Sequence, residues 1–372
     1  MESRFDVLVV GSGPAGSIAA LVLARGGARV ALVDKARFPR DKACGDLIGP
    51  RGVQVLDDLD LKVPGAERVG DMIVVGPAGG RVRLPCRPGV TYPGHALAVP
   101  RTVFDHTLFE AAVAAGAEPF VGRAGEPVRR EDGTLGGFVL SGGERLAADV
   151  VIGADGATSR VAEAAGLVDS RRVLWGFAVR AYVEDPVALP HIVLWEAERW
   201  RGFPGYGWLF PGIDGRANLG LGVGTLAERA AGAEATQRFD AFADHLRRLG
   251  VLQGSPAPAR SRDRLGGWLK MGMVGTTPAR AGVFLVGDAA GLVNPLQGEG
   301  IAQAMGSGRA AAEAILAGPG DAAGRYRHVL HSTYAPYQSI TAPVHGALLT
   351  RPRAVAAIGR LVTAPGLGRA VA

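Results

Sequence analysis

With 372 residues, 48% of them hydrophobic and 20% charged, the chain has the composition of a folded globular protein with room for two or three domains at ~150 residues each. Its net charge of +6 comes from arginines scattered among acids rather than from a basic block, so no nucleic-acid patch is expected and only a mild attraction to acidic lipid or anionic cofactors is implied. Two cysteines, Cys44 and Cys86, exclude a disulfide framework, and no uninterrupted apolar run of ~18 residues marks a transmembrane helix.

The chain enters its first predicted strand, Val7-Leu8-Val9-Val10, almost at once, so no signal peptide is expected and the reading is cytoplasmic, at most peripheral to a membrane. The strand turns through Gly11-Ser12-Gly13-Pro14-Ala15-Gly16 into an alanine-rich helix, and a second apolar run, Val30 to Val33, ends in Asp34. Strand, glycine turn, helix, strand and acid form a dinucleotide site. Gly11 permits the turn, Gly13 lets backbone approach a pyrophosphate, Gly16 lets the helix pack closely, and Asp34 accepts from a ribose. Helix N–H groups and the helix dipole face the phosphates, and Pro14 suits the first turn. An ordinary α/β unit with a tight turn is the plainer account, and the turn alone does not choose between NAD and FAD.

Residues 35–50 read as a Pro- and Gly-rich loop, 51–59 as a helix, and 71–75 with 81–84 as two strands joined by a turn. A short strand at 95–99 precedes an amphipathic helix over 102–115, with Phe104, Leu108, Ala111 and Ala112 on one face. A strand at 118–121 and a hairpin at 137–140 and 144–148 follow. A separate buried strand, 150–153, runs into Asp155-Gly156 and a helix near Ser159. From 173 to 223 the pattern is mostly β and carries Trp175, Trp195, Trp200 and Trp208. A helix at 233–249, a Pro- and Arg-containing connector at 254–263, an apolar strand at 282–286 and a long helix at 298–316 complete the pattern, with a helical, proline-broken end. This order suggests a discontinuous cofactor domain (1–70, 95–168 and 280–318) with a β-rich substrate domain (71–94 and 169–279) inserted, and a C-terminal helical region (319–372).

Three separated motifs together resemble the FAD-binding set of the para-hydroxybenzoate hydroxylase structural class: Gly11 to Gly16 with Asp34, then Asp155-Gly156-Ala157-Thr158-Ser159, then Gly282 to Ala290 with Gly287-Asp288. The resemblance implies an α/β fold, a Rossmann-type FAD-binding domain with an inserted β-sheet-rich substrate domain and C-terminal helices. It implies that Asp288 bonds a ribityl hydroxyl, that Asp155-Gly156 lie by the pyrophosphate, that Arg101 contacts the flavin, and that Gly298, Gly300 and Ile301 begin a helix against the isoalloxazine. Lys35, Gly45, Asp46 and Val121 are added to this cofactor set.

Two further stretches resemble the geranylgeranyl reductase family: Phe38-Pro39-Arg40-Asp41-Lys42-Ala43-Cys44-Gly45-Asp46, and Tyr206-Gly207-Trp208-Leu209-Phe210-Pro211 followed by Gly220-Leu221-Gly222. The resemblance covers residues 1 to about 317; the C-terminal part matches only in being helical. It implies hydride and proton addition to an isolated double bond of a prenyl chain, which needs a dry apolar pocket holding the alkene against the flavin. Tyr206, Trp208 and Phe210, alternating along one strand, are expected to line that pocket, with plain sheet-face core as the alternative, and Gly220 and Gly222 either let a backbone approach the substrate or mark a bulge. Cys44, beside the flavin, is a candidate to tune the site or help deliver a proton, and Tyr206 is a second catalytic candidate. Cys86 carries no motif and is read as structural. His95 is a candidate to face the pocket, and His191 lies in the β-rich part; both are more often structural. No His, Cys or Asp cluster has metal-ligand spacing. No second GxGxxG is present, so the reductant, NAD(P)H or another reduced carrier, docks transiently. The competing readings are an FAD monooxygenase acting on an aromatic or specialised metabolite, a halogenase, which lacks a matching lysine motif, and a carrier that only binds FAD and lipid.

Overall fold

The computed structural model describes residues 2–76, 79–90, 92–194, 205–213, 215–225, 230–254, 264–318, 320–349, 351, 353, 357, 360, 361 and 363. Trp195 and Trp200, the connector at 255–263 and most of the chain beyond 349 lie outside them.

Strand β1 (Glu2–Val10), helix α1 (Pro14–Arg25) and strand β2 (Val30–Asp34) form the opening unit. Val7–Val10 run parallel to Val30–Val33, and all eight are buried, as a strand covered on both faces requires. Strands β3 (Leu47–Ile48), β4 (Glu67–Val69) and β7 (Ala96–Ala98) make a small antiparallel sheet; between them in the chain come α2 (Pro50–Asp58) and the hairpin β5 (Met72–Val75) and β6 (Arg81–Leu84), which joins another sheet. β3 and β4 were not foreseen: two or three residues inside polar stretches carry no period of their own. Helix α3 (Arg101–Ala114) leads to β8 (Glu118–Val121), parallel to β2, with Val121 opposite Asp34.

Strands β9 (Ala124–Arg129), β10 (Leu135–Leu140) and β11 (Arg145–Gly153) follow. The sequence reading divided β11 into a hairpin strand and a buried strand. It is one strand, antiparallel to β10 at its start and parallel to β1 along its length. The apolar pattern changes because a half-covered strand becomes a central one, not because the strand ends. Helix α4 (Arg160–Ala164) precedes β12 (Leu174–Val183), β13 (His191–Val193), β14 (Gly205–Pro211), β15 (Ala217–Thr225), α5 (Ala230–Arg248) and β16 (Leu265–Met271). Then β17 (Ala279–Arg280) and β18 (Val283–Leu285) rejoin the first sheet, a 3-10 turn spans Gly287–Ala290, and α6 (Ile301–Leu316) and α7 (Ala322–Leu349) close the described chain. Helix α7 runs through Pro336 and Pro343 rather than breaking at them.

The first sheet has the order β17-β18-β11-β1-β2-β8, with β10 and β9 attached at β11. Its core is mostly aliphatic, with Phe5, Phe104, Phe138, Phe284 and Tyr326 buried in it, and the alanines of α1 and α6 let the helices pack closely. The second sheet, β16-β12-β15-β14-β13-β5-β6, draws strands from both sides of the first sheet's central stretch. One face packs on α5 through Val179, Leu209, Leu219, Leu221, Phe239 and Phe242. Gly207 is the contact point: a Cβ there would lie 1.8 Å from the Phe242 ring. The other face, formed by alternate residues, looks toward the 41–46 loop.

Phe242→Ala is therefore expected to lower unfolding free energy by about 3–5 kcal/mol, read by urea denaturation; a loss below about 1 kcal/mol would show that α5 is not a core element.

Candidate active site

The nucleotide turn is fixed by backbone crowding. Gly11 has φ +102°, and a Cβ on it would lie 2.3 Å from the Ala154 carbonyl oxygen. A Cβ on Gly16 would lie 1.8 Å from the Gly11 carbonyl oxygen. Neither neighbour can yield, since both are main chain. Gly13 faces the Arg40 guanidinium instead, 3.6 Å from where its Cβ would be. The Asp34 carboxylate accepts from Ser12 N–H at 2.8 Å and Ala36 N–H at 2.9 Å, tying the turn to the end of β2. Pro14 and Ala15 are buried in the first turn of α1, Lys35 is exposed, and Val121 is 46% exposed beside Asp34.

At the end of β11, Asp155 acts first as a helix cap. Its carboxylate accepts from Ser159 Oγ at 2.5 Å and from Arg160 and Val161 N–H at 2.7 and 3.1 Å. Burial pushes its carboxyl up, against the pull of those bonds. Gly156, at φ +85°, has no heavy atom within 4 Å of an added Cβ, so this side is open. Beyond β18, Gly287 (φ +56°) donates its N–H to Ser307 Oγ, and the Asp288 carboxylate lies 3.7 Å from Lys42 Nζ. Gly300, at the start of α6, would bring a Cβ to 3.5 Å from Asp288, and Ile301 is buried behind it. Two helix starts, carboxylates at or just beyond the ends of three strands (Asp34, Asp155 and Asp288) and a glycine, Gly156, facing open space fit a cofactor with a diphosphate and hydroxylated sugar arms. Asp34 and the α1 turn would hold the adenylate half; Asp288 and Gly298 to Ile301 would hold the flavin half.

Between these clamps lies the 38–46 loop. Phe38 stacks on Phe109 of α3 at 4.6 Å. Arg101, buried in the first turn of α3, makes a two-pronged bond to Asp105 at 2.6 and 2.7 Å, and Arg40 reaches the same carboxylate at 2.9 Å. Burial alone would lower Arg101, but Asp105 and the facing Cys44 hold it above its ordinary range. Cys44 Sγ accepts from Asp46 N–H at 3.4 Å; Cys44 and Cys86 are both free thiols.

The loop rests on the second sheet. Tyr206, Trp208 and Phe210 of β14 pair with Gly222, Gly220 and Asn218 of β15, which pair in turn with Ala178, Arg180 and Tyr182 of β12. A Cβ on Gly45 would meet the Phe210 ring at 2.9 Å. Trp208 and Phe210 are buried against this loop, while Tyr206 is half-buried and donates to the Gln297 carbonyl beside Gly298. Burial first, then Glu299 and Cys44, holds the Tyr206 phenol above its ordinary range. Gly220 accommodates Trp208, whose ring lies 1.9 Å from where a Cβ would be, so the indole fills the space expected for substrate. Gly222 has its nearest neighbour at 3.7 Å and keeps room. Trp175 does not join this row: it packs edge-on with Trp268, which in turn packs on Phe177, a residue of the α5 side. His95 contacts Arg68 at 3.1 Å, and His191 lies on β13 opposite Leu209.

Sequence reasoning missed Arg180, Tyr182 and Asn218, which meet the loop. Arg180 bonds Asp41 at 2.5 Å and lies 4.4 Å over the Tyr182 ring. Tyr182 Oη donates to Asp46 Oδ2 at 2.6 Å, and Asn218 Nδ2 donates to Asp46 Oδ2 and to the Cys44 carbonyl, each at 2.8 Å. Burial pushes the Asp46 carboxyl up to about 6, opposed by Tyr182, Arg180, Asn218 and Arg101. Lys270 was missed as well. It is buried on β16, which pushes it down to about 8, opposed by Asp155, Asp288 and Glu163. The available signal was polar residues at alternate positions of the apolar strand Leu174–Val183.

Fold and site together define an FAD-dependent oxidoreductase, and residues 4–335 match the family described as FAD binding domain. More narrowly, the chain belongs to the geranylgeranyl reductase family. It is 36% identical over 361 residues to menaquinone reductase of Mycolicibacterium smegmatis, covering 95% of this chain and 86% of that one. It is 33% identical to digeranylgeranylglycerophospholipid reductase 2 of Methanopyrus kandleri, covering 83% and 76%. The fold is that of a geranylgeranyl bacteriochlorophyll reductase-like protein of Thermoplasma acidophilum, with TM-score 0.78, 24% identity and 99% and 94% coverage. Among the described residues no helix is long and apolar enough to cross a membrane.

Gly16→Ala is expected to weaken FAD binding at least about tenfold, ~1.4 kcal/mol, seen as flavin lost from the purified protein; full flavin content would contradict the turn geometry. The fold favours the protonated form of Asp46, so that contribution is complete below the ordinary value of 3.8 and is lost as pH rises through about 6. Asp46→Asn cannot ionise, so between pH 4 and 7.5 the variant should gain on the wild type by on the order of 3 kcal/mol. Parallel melting curves of the two proteins would show the Asp46 carboxyl to be ordinary.

Proposed function

We propose that this protein saturates carbon–carbon double bonds in the prenyl chain of a quinone or related lipid. Contact between Gly45 of the cofactor-side loop and the Trp208–Phe210 wall carries the reading, since it puts an apolar surface beside the Cys44–Asp46 segment. The relatives named for menaquinone and for a digeranylgeranyl lipid make a long prenyl chain the favoured substrate class. Reduced FAD supplies the hydride equivalent. The protein's part is to exclude water with Trp208 and Phe210, to hold the chain near Tyr206 and Gly222, and to keep a proton source at the same place. Arg101, held charged by Asp105, would favour negative charge on the cofactor. NAD(P)H, docking transiently, is the proposed electron donor. Cytoplasmic placement with peripheral contact to the membrane that holds the substrate completes the proposal.

Reducing the flavin without oxygen and then adding a prenylated menaquinone tests it. Reoxidation with a product two hydrogens heavier in the prenyl chain is expected. A flavin that stays reduced until oxygen enters, with an oxygenated product, would favour a monooxygenase instead.

A further inference from the structure

Asp46 is an unusual place for a carboxylate. It is 2% exposed, at the end of the loop that leads into β3, with a left-handed backbone (φ +58°) that few side chains other than glycine, asparagine and aspartate adopt. Its two oxygens are treated unequally. Oδ2 accepts from both Tyr182 Oη and Asn218 Nδ2. Oδ1 is buried and takes no hydrogen bond from any described residue. A carboxylate so placed would leave half its charge unsolvated, whereas a carboxylic acid would carry its proton on Oδ1 and keep both bonds at Oδ2. Asp46 borders the aromatic wall: it bonds Asn218, the strand partner of Phe210, and Gly45 just before it lies on the Phe210 ring.

We propose that Asp46 holds the proton for the reduction on Oδ1 and is recharged through the Tyr182 hydroxyl. The inference rests on the reductase reading. The alkene π bond opens and two C–H bonds form, one from the hydride equivalent of the reduced cofactor and one from the Asp46 proton. Asp46 is left as a carboxylate. Tyr182 passes its proton to Oδ2 through the existing 2.6 Å bond while taking one from solvent, and a half-turn of the carboxyl about its Cβ–Cγ bond exchanges the two oxygens, so that the protonated one again stands in the Oδ1 position. Tyr182, half-buried with its ring under Arg180, never exists as a free phenolate in this exchange. The groups facing Asp46 are Arg180 and Tyr182 of β12, Asn218 of β15, Arg101 of α3, and Cys44 of its own loop; Asp41, bonded to Arg180, stands behind them. An acid held protonated close to neutral pH is the form a proton donor at ordinary pH requires.

The test uses FAD-loaded wild type, Asp46→Asn and Tyr182→Phe. Infrared spectra from pH 4.5 to 8.5 should show a buried carboxylic-acid band in the wild type that fades around pH 6 and is missing in Asp46→Asn. In Tyr182→Phe, which loses a bond favouring the carboxylate, that band should persist to higher pH. In anaerobic single turnovers with prenylated menaquinone, the wild-type rate should fall as the band fades. Asp46→Asn should be slower by about 10²-fold or more and insensitive to pH over this range. Tyr182→Phe should move the fall in rate upward with the band. Absence of the band, or an Asp46→Asn protein with the wild-type rate and pH profile, overturns the inference. The infrared arm needs no substrate: a wild type that shows the band but reduces no prenyl double bond overturns the reductase reading and the delivery role together, while the proton on Asp46 stands.

Discussion

The site depends on how the 41–46 loop is clamped between two sheets that share no strand. Asn218 holds the Cys44 carbonyl and the Asp46 carboxylate with one amide nitrogen, Tyr182 bonds Asp46, and Arg180 bonds Asp41. All three side chains come from adjacent strands of the second sheet and reach the same loop. Asn218 and Arg180 are fully buried, so each bond is made where an unmet partner is expensive. Removing one member would leave a buried charge or amide uncompensated, the situation that costs several kcal/mol in other proteins. The clamp thus sets where the cofactor-side loop meets the aromatic wall.

Alternation along the strands explains why one sheet serves as both core and site. Val179, Ala181 and Val183 face α5, while Ala178, Arg180 and Tyr182 face the loop. On β15 Leu219 and Leu221 face the core, and Asn218, Gly220 and Gly222 face the loop. A one-residue slip in register would exchange the two sets. The glycines on the loop face let large rings lie on the sheet: Trp208 occupies the space over Gly220, and its indole N–H bonds Asn218 at 2.9 Å. Wall and clamp are therefore joined through a single amide side chain.

What could be read in the sequence was local. The opening turn is legible because Gly16 is demanded by the Gly11 carbonyl five residues before it, Gly11 by its own positive φ, and because an acid must end β2; that Ala154 also crowds Gly11 was not. The alternating Tyr206, Trp208 and Phe210 were legible as one face of a strand, but not that Gly220 would be filled by the indole, which depends on the register with β15. The clamp was not legible: Asp46 and Asn218 are 172 residues apart, and no spacing rule links them. Lys270 was hidden for the same reason, since its acidic neighbours come from the other sheet. Which face Trp175 takes was not legible either, because an aromatic-rich stretch does not say to which side each ring points. The continuous β11 and the uninterrupted α7 show tertiary packing overriding local signals.

The central claim is that the reacting double bond is held where the cofactor-side loop meets the β14 wall. A crystal structure with FAD and a prenylated menaquinone tests this most directly. The account predicts the prenyl chain beside Gly45, Tyr206 and Gly222, with a double bond facing the flavin. A complex with the quinone ring in that place and the prenyl chain directed away from the wall would contradict it.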